Sequence, residues 1–454
     1  MWKAKRNSGG LYERREMIAK NNNSRNELPR DLDLNDEFRS AFNSMEKTDD
    51  NLFITGKAGT GKSTLLKYFK IYTGKRIVIL APTGVAAVNV GGQTIHSFFK
   101  FPPRILQKDT IRKRRDTDII EKLDTVIIDE VSMVRADLMD GIDYALRLNR
   151  GQMKKPFGGV QMIFFGDLFQ LPPVVDPAER ELLAERYPNP YFFSAKVFHN
   201  SNLRHIELSR IYRQKDKKFI ELLNRLRNKE HTDHDLGLLN GRYLKSIPES
   251  GDATVILTTT NSIAAAVNEN RLAGLQGKEY SYEGDASGDI KESFYPTNAS
   301  LRLKKGAQVI LIKNDPDKQW VNGTIARIAS LSRTSIKVDI DGQICEVNRV
   351  KWQKIEYSYN EDDDKIEEDV VGAFEQYPIK LAWAITIHKS QGQTFDKIIV
   401  DLGRGAFTHG QVYVALSRCS SLEGITLKRP VINSDIIFDK QIYEFQNRFA
   451  SLGL

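Results

Sequence analysis

The chain has 454 residues, 40% of them hydrophobic and 9% aromatic, which suits about three compact domains and excludes a chain that is a single disordered tail. Lys and Arg number 67 against 59 Asp and Glu, and the net charge of +8 favours a polyanionic partner. Two cysteines and seven histidines without metal-site spacing exclude a disulfide scaffold or zinc module as the organising feature. No apolar run approaches the roughly 18 residues needed to cross a bilayer, so no membrane partner is expected. The charged start, Met1-Trp2-Lys3-Ala4-Lys5-Arg6, is followed by no apolar stretch, which argues against a secretory signal.

In chain order, residues 1–32 are polar and predict a flexible N-terminal segment. Asp33-Leu34-Asn35-Asp36 is a capping sequence ahead of Phe38, Phe42 and Met45 at helical spacing. Strands are predicted over Asn51–Thr55, Arg76–Ala81, Thr125–Ile128, Gln161–Phe165, Thr254–Leu257 and Lys397–Asp401, alternating with helical patterns. Continuous apolar strands between helices predict an α/β fold with parallel sheets. The strands form two groups, so two such domains are expected, divided near residues 185–200. Between about 278 and 372 the pattern changes to short alternating runs (Ala307–Ile312, Ile325–Ser330, Ser335–Ile340, Gln343–Asn348), as in a small β-barrel. The acidic run Glu361–Asp369 is expected to be a solvated loop.

Gly56-Lys57-Ala58-Gly59-Thr60-Gly61-Lys62-Ser63 follows an apolar strand and opens a helix carrying Leu65, Leu66 and Phe69. Glycines there let backbone N–H groups turn toward phosphate oxygens, and the helix N-terminus adds partial positive charge. Lys62 is expected to reach the β- and γ-phosphates of ATP, and the Ser63 hydroxyl to complete a Mg²⁺ shell. The bland alternative, a Gly-rich turn with an exposed Lys, does not explain the strand-to-helix setting. Val126-Ile127-Ile128-Asp129-Glu130 supplies the partner feature: Asp129 to hold Mg²⁺ and Glu130 to polarise the attacking water. Gln170, in Phe165-Gly166-Asp167-Leu168-Phe169-Gln170-Leu171-Pro172-Pro173, either senses the γ-phosphate or marks a strand-to-turn transition.

These segments, with Ala81-Pro82-Thr83-Gly84-Val85-Ala86-Ala87 and Thr94-Ile95-His96-Ser97-Phe98, resemble successive motifs of superfamily one helicases. Their order and wording are similar to the Pif-one (petite integration frequency) family of superfamily one B, relatives of the RecD-like and Dda helicases. Ile211-Tyr212-Arg213-Gln214, Ala384–Phe395 with His388-Lys389-Ser390-Gln391-Gly392, and Tyr413–Arg418 resemble its later motifs, so the likeness runs over roughly 33–430.

The resemblance implies two RecA-like P-loop domains (33–190, then 191–279 with 373–454), an SH3-like insert (280–372) and a small wedge element near 100–120. The basic run Arg112-Lys113-Arg114-Arg115 lies where the wedge would be, although a solvated helix face reads the same way. It implies an ATP- and Mg²⁺-dependent, DNA-stimulated helicase moving 5′ to 3′ on single-stranded DNA and opening duplex or fork junctions, with one chain as the unwinding unit. Further substrates would be G-quadruplexes or RNA–DNA hybrids, in replication, repair, recombination or telomere-type maintenance. The compartment would be the nucleoid-bearing cytoplasm in a bacterium or phage host, and the nucleus or mitochondrion in a eukaryote.

By position, the resemblance puts Gly56, Gly59, Thr60, Gly61, Lys62, Ser63, Thr64, Gln391 and Gly392 at the nucleotide. Arg213 and Arg418 would reach the γ-phosphate across a cleft, although either arginine taken alone is more often a surface ion-pair partner. Pro82, Thr83, Val85, His96, Phe98, Thr258, Thr259, Asn261, Thr386, His388 and Lys389 would face DNA, gripping phosphates without reading sequence. Phe98 and Phe99 would stack on bases; for these rings and both histidines, core packing is the competing reading. Phe38 stands where the family usually carries an adenine-reading Gln.

Two other functions compete. A P-loop kinase or switch GTPase would need neither a second α/β domain nor its arginines, and no guanine-reading NKxD segment occurs. A nucleic-acid scaffold with a decayed ATPase would not retain Lys62, Ser63, Asp129, Glu130 and both arginines.

Overall fold

A computed structural model describes residues 34–102, 104–114, 118–199, 201–212, 214, 216–245 and 254–450, the last three as backbone. The predicted N-terminal segment, Arg115 and Arg213 lie outside the described residues.

The first half is built on six parallel strands: β1 (Asn51–Gly56), β2 (Ile77–Ala81), β3 (Gln93–Thr94), β4 (Thr125–Ile128), β5 (Gln161–Phe165) and β6 (Leu203–Leu208). Their order is β3-β2-β4-β5-β1-β6. The central β4 and β5 are buried along their whole length, as expected of strands covered on both faces. Helix α1 (Asp36–Lys47) starts where predicted, its N-cap Asn35 accepting from the Phe38 N–H at 2.8 Å. Helix α2 (Lys62–Tyr72) buries Leu65, Leu66 and Phe69 against the sheet.

Strand β6 corrects the expected boundary. It pairs with β1 at six positions, so the first sheet runs to Leu208, beyond residues 185–200. Leu203-Arg204-His205-Ile206-Glu207-Leu208 is interrupted by charge because it is an edge strand with only Leu208 buried.

A second parallel sheet is ordered Ala384–Thr386, Val255–Thr258, Ile398–Asp401, Ile425–Leu427. Between its first two strands in sequence lies an antiparallel region. Its five-stranded sheet includes all four predicted alternating runs, and its own core holds Leu301, Leu303, Val309 and Trp320. Among the described residues no helix is long and apolar enough to cross a membrane.

The acidic run is exposed, as expected of a solvated loop, but only its first four residues form a turn. Residues 361–364 turn a long hairpin, Val350–Asn360 against Lys365–Gln376, whose second strand carries Glu367, Glu368 and Asp369. The hairpin lies on the first domain: Asp364 pairs with Arg76 at 2.9 Å and Glu368 with Lys70 at 2.7 Å. Such half-exposed pairs contribute little individually. Tyr357 is the firmer anchor, its hydroxyl accepting from the Ile79 N–H at 3.1 Å and facing the Ile79 carbonyl at 3.4 Å. It thereby satisfies an edge of β2 that the two-residue β3, paired only at Leu80 and Ala81, does not cover. Tyr357→Phe is expected to leave that N–H without its acceptor, at about 1–3 kcal/mol. In a domain of this size the melting midpoint should fall by about 2–4 °C per kcal/mol. An unchanged midpoint in a thermal scan would show that the hairpin is not anchored this way.

The described part of the basic run, residues 112–114, lies outside any helix or strand. Arg112 and Lys113 are exposed, whereas Arg114 donates to the Phe98 carbonyl at 2.7 Å and to Asn149 at 2.8 Å through its backbone.

Candidate nucleotide-binding cleft and strand-end surface

Strand β1 ends at Gly56, where a Cβ would come within 2.5 Å of the Leu208 carbonyl and 2.6 Å of the Thr60 hydroxyl. Only glycine fits between these groups. Gly61 caps α2 in the left-handed region (φ 90°) and offers no side-chain acceptor to the helix N–H groups. The first turn of α2 is thus open to an anion. Across this loop the Lys62 ammonium donates to the carbonyls of Gly56 (2.5 Å) and Lys57 (3.2 Å), and burial lowers its pKa.

Asp129 and Glu130 follow β4. Burial, reinforced by Glu130 beside it, pushes the Asp129 carboxyl up to about 7. Burial also raises Glu130, against the pull of Lys62 and Arg418. Glu130 adopts φ 50°, an uncommon conformation for a residue with a side chain, which turns the chain sharply at the strand end.

A cleft of about 520 Å³ is lined by Gly59, Thr60, Gly61, Lys62, Ser63 and Thr64 from the loop side, with Glu130 and Gln170. Gly392, Thr394 and Arg418 close it from the second domain. Arg418 is 1% exposed, its guanidinium donating to the Val414 carbonyl (3.1 Å), the Ser417 hydroxyl (2.9 Å) and the Ser390 carbonyl (3.5 Å). Gln391 donates to Gln170 at 3.2 Å, a hydrogen bond directly across the two halves.

Three further groups were not singled out by residue type or spacing. Asp167 is buried and paired with Arg227 at 3.2 Å, and the Arg227 guanidinium lies 3.7 Å from the centre of the Phe169 ring. Burial works to raise Asp167, but Arg227 and Lys62 outweigh it and hold the carboxyl below its ordinary value. Tyr413, on the helix Gln411–Leu416, accepts at its hydroxyl from the Ala58 N–H of the loop at 3.5 Å. Gln214 donates to the carbonyls of Ser417 (3.0 Å) and Cys419 (3.3 Å), bracketing Arg418. An acid one glycine beyond an apolar strand was the available signal for Asp167, a setting close to that of Asp129, which follows its strand directly.

The segments expected to face DNA lie just beyond the carboxyl ends of parallel strands. Thr83 caps the helix Gly84–Val90, accepting from the Ala86 N–H; it and Val85 are exposed, and Pro82 is half-buried. Thr258 and Thr386 are neighbours in register on adjacent strands and are buried, as is Thr259. Asn261 and Lys389 are exposed beside them. His96 and His388 are half-buried, and burial lowers the pKa of both.

For Phe98 the structure favours the competing reading, core packing. It is 2% exposed, edge-on to Phe99 at 4.9 Å and to Tyr357 at 6.3 Å. With its ring packed into the core of the first domain, it presents no face to a base, and Phe99 at 5% exposure is no different.

A family model described as PIF1-like helicase matches residues 33–236. The ATP-dependent DNA helicase Pif1 of Bdellovibrio bacteriovorus is 32% identical over 433 residues, covering 93% of each chain. The Xenopus laevis helicase PIF1 is also 32% identical, over 88% of this chain but 62% of its own greater length. The crystal structure of Bacteroides sp. Pif1 in complex with ADP-AlF4 superimposes with a TM-score of 0.86 at 37% identity, covering 93% of this chain and 98% of that one. Bacteroides Pif1 bound to single-stranded DNA gives a TM-score of 0.67 at the same identity and coverage. A P-loop cleft closed by a second parallel sheet and near-full-length relatives above 30% identity lead to one conclusion: the chain belongs to the Pif1-like helicase family.

Proposed function

We propose that this chain is an ATP-dependent DNA helicase that hydrolyses ATP in the cleft between its two parallel sheets and moves along single-stranded DNA as the cleft closes and opens. The observation that carries this reading is Arg418, which lines the same cleft as Lys62 and Glu130 but belongs to the other domain. A site completed from both sides converts nucleotide turnover into relative movement of the two halves. Both sides come from one chain, so a single chain suffices for hydrolysis.

In this reading the loop N–H groups and Lys62 bind the β- and γ-phosphates. Ser63, which lines the cleft, and Asp129, at the end of β4 beside the cleft-lining Glu130, offer hard oxygen ligands, a donor set that fits Mg²⁺. When bound, Mg²⁺ neutralises charge on the β- and γ-phosphate oxygens. Glu130 takes a proton from the attacking water as the bond from the γ-phosphorus to the β–γ bridging oxygen breaks, releasing ADP and phosphate. Gln170 orients the γ-phosphate and reports it to Gln391 through their mutual hydrogen bond. Arg418, joined by Arg213 on the strength of the family resemblance, stabilises charge on the transferring group.

Thr83, Asn261, His388 and Lys389 offer the strand-end surface on which a DNA backbone is held, with the buried Thr258, Thr259 and Thr386 beneath it, through polar side chains and N–H groups rather than contacts to base edges. Movement 5′ to 3′ follows from the family resemblance. Matched duplexes with a 5′ or a 3′ single-stranded tail, incubated with ATP and Mg²⁺, test both statements. The 5′-tailed duplex should be opened faster. Preferential opening of the 3′-tailed duplex refutes the polarity, and hydrolysis unaffected by DNA refutes the helicase reading.

A further inference from the structure

The cleft continues past Gly61 to a second end, lined by Asn35, Glu37, Phe38, Leu208, Arg210 and Tyr212. With phosphates on the loop, this end faces the base of the nucleotide. We infer that it holds the base by stacking on Tyr212 and by apolar contact with Phe38 and Leu208, without reading the base edge, so that purine and pyrimidine nucleoside triphosphates are all substrates. This rests on the hydrolysis proposed above and extends it to the substrate class.

The polar groups at this end are engaged with one another. The Asn35 side chain accepts from the Phe38 N–H at 2.8 Å and donates to the Tyr212 hydroxyl at 3.0 Å. The Leu34 and Asn35 carbonyls accept from the Arg39 side chain (2.7 Å) and backbone (3.0 Å). Glu37 accepts from both the hydroxyl and the N–H of Ser209, and from the Arg210 N–H. The Ser209 hydroxyl, with these N–H groups, holds the Glu37 carboxyl below its ordinary value, so it stays an occupied acceptor. The Arg210 guanidinium lies over the Tyr212 ring at 5.2 Å.

What remains is apolar. Phe38 is 6% exposed and braced edge-on by Tyr68 at 5.4 Å. Tyr212 is 46% exposed, yet its backbone is fixed to the loop by an N–H bond to the Gly59 carbonyl at 2.9 Å. Its ring edge would lie 3.9 Å from a Cβ at Gly61. The ring is therefore held beside the phosphate loop with surface available. Stacking on an aromatic ring tolerates any base, because every base has a π-face. A site built to hydrogen-bond its substrate rejects an analogue lacking the group by about 10⁴–10⁵-fold, and among the described residues this end has no such arrangement.

DNA-stimulated hydrolysis measured with ATP, GTP, CTP and UTP tests the inference. The four values of kcat/KM should agree within about tenfold, the scale of discrimination by apolar contact. A preference for ATP of a hundredfold or more overturns it. Tyr212→Ala should raise KM for all four to a similar degree with kcat little changed, and Tyr212→Phe should restore it. A loss confined to ATP would mean that Tyr212 takes part in reading adenine, which is the opposite conclusion. Failure to hydrolyse any of the four in the presence of DNA would refute the hydrolysis reading itself, and is thereby distinguished from failure of the base inference.

Discussion

Arg418→Ala should cut DNA-stimulated ATP turnover by at least about a hundredfold, since arginines that meet a transferring phosphoryl group are worth about 10³–10⁵ in rate. The expected split between kcat and KM follows from where the side chain sits. In the proposed mechanism Arg418 would meet the γ-phosphate most closely when the domains close, so its contribution would be larger in the transition state than in the resting complex. Affinity for ATP and for single-stranded DNA should change only a few-fold. The structure adds a second, separable effect. Removing a guanidinium that is 1% exposed takes one donor each from the Val414 and Ser390 carbonyls, which keep the Ser417 hydroxyl and the Gln393 N–H, and leaves the Ser417 hydroxyl without the Arg418 N–H it accepts. That loss should cost about 1–3 kcal/mol of stability, visible as a lower melting midpoint. Arg418→Lys separates the two effects, because an ammonium keeps the charge but lacks the planar fork. Turnover should stay low in the Lys variant. A stable variant with near-normal turnover would remove Arg418 from the reaction.

How much of this site was legible before the structure depends on how local each feature is. The phosphate loop was readable because its requirements are contiguous: an apolar strand, glycines where a side chain would clash with Leu208 or need positive φ, then a helix. The Asp129–Glu130 turn was readable for the same reason. The pair Asp167–Arg227 was not, because its partners are 60 positions apart and each alone resembles an ordinary charged residue. Charge also hid two structural elements. Edge strand β6 keeps Arg204 and Glu207 because one side of it meets solvent, and the acids of the long hairpin face Arg76 and Lys70 rather than water alone. Phe98 shows the opposite case: an aromatic in a motif expected to face DNA invites stacking or core packing alike, and here its ring is packed on Phe99 and Tyr357. A residue type reveals its chemistry only when its burial is known.

Lys62→Ala should abolish measurable hydrolysis and unwinding while leaving single-strand affinity within a few-fold of the parent. Lys62 lies inside the phosphate loop, donating to the Gly56 and Lys57 carbonyls, whereas the proposed DNA surface is built from strand ends elsewhere. Loss of one preorganised donor to a developing oxyanion typically costs about 10²–10³ in rate. Here the effect should be larger, because the ammonium also offsets Asp167, Glu130 and Asp129, all of which act on it electrostatically. Without it, these carboxylates repel both one another and the incoming triphosphate, so nucleotide affinity should fall together with turnover. Lys62→Met keeps the volume of the side chain and should behave like the Ala variant if charge is the cause; recovery of turnover with Met would make packing the cause. Equilibrium titration with a fluorescent oligonucleotide, alongside a thermal scan, completes the comparison. Equal loss of DNA affinity in a folded Lys62 variant would show that the nucleotide loop and the strand-end surface do not act as separate sites.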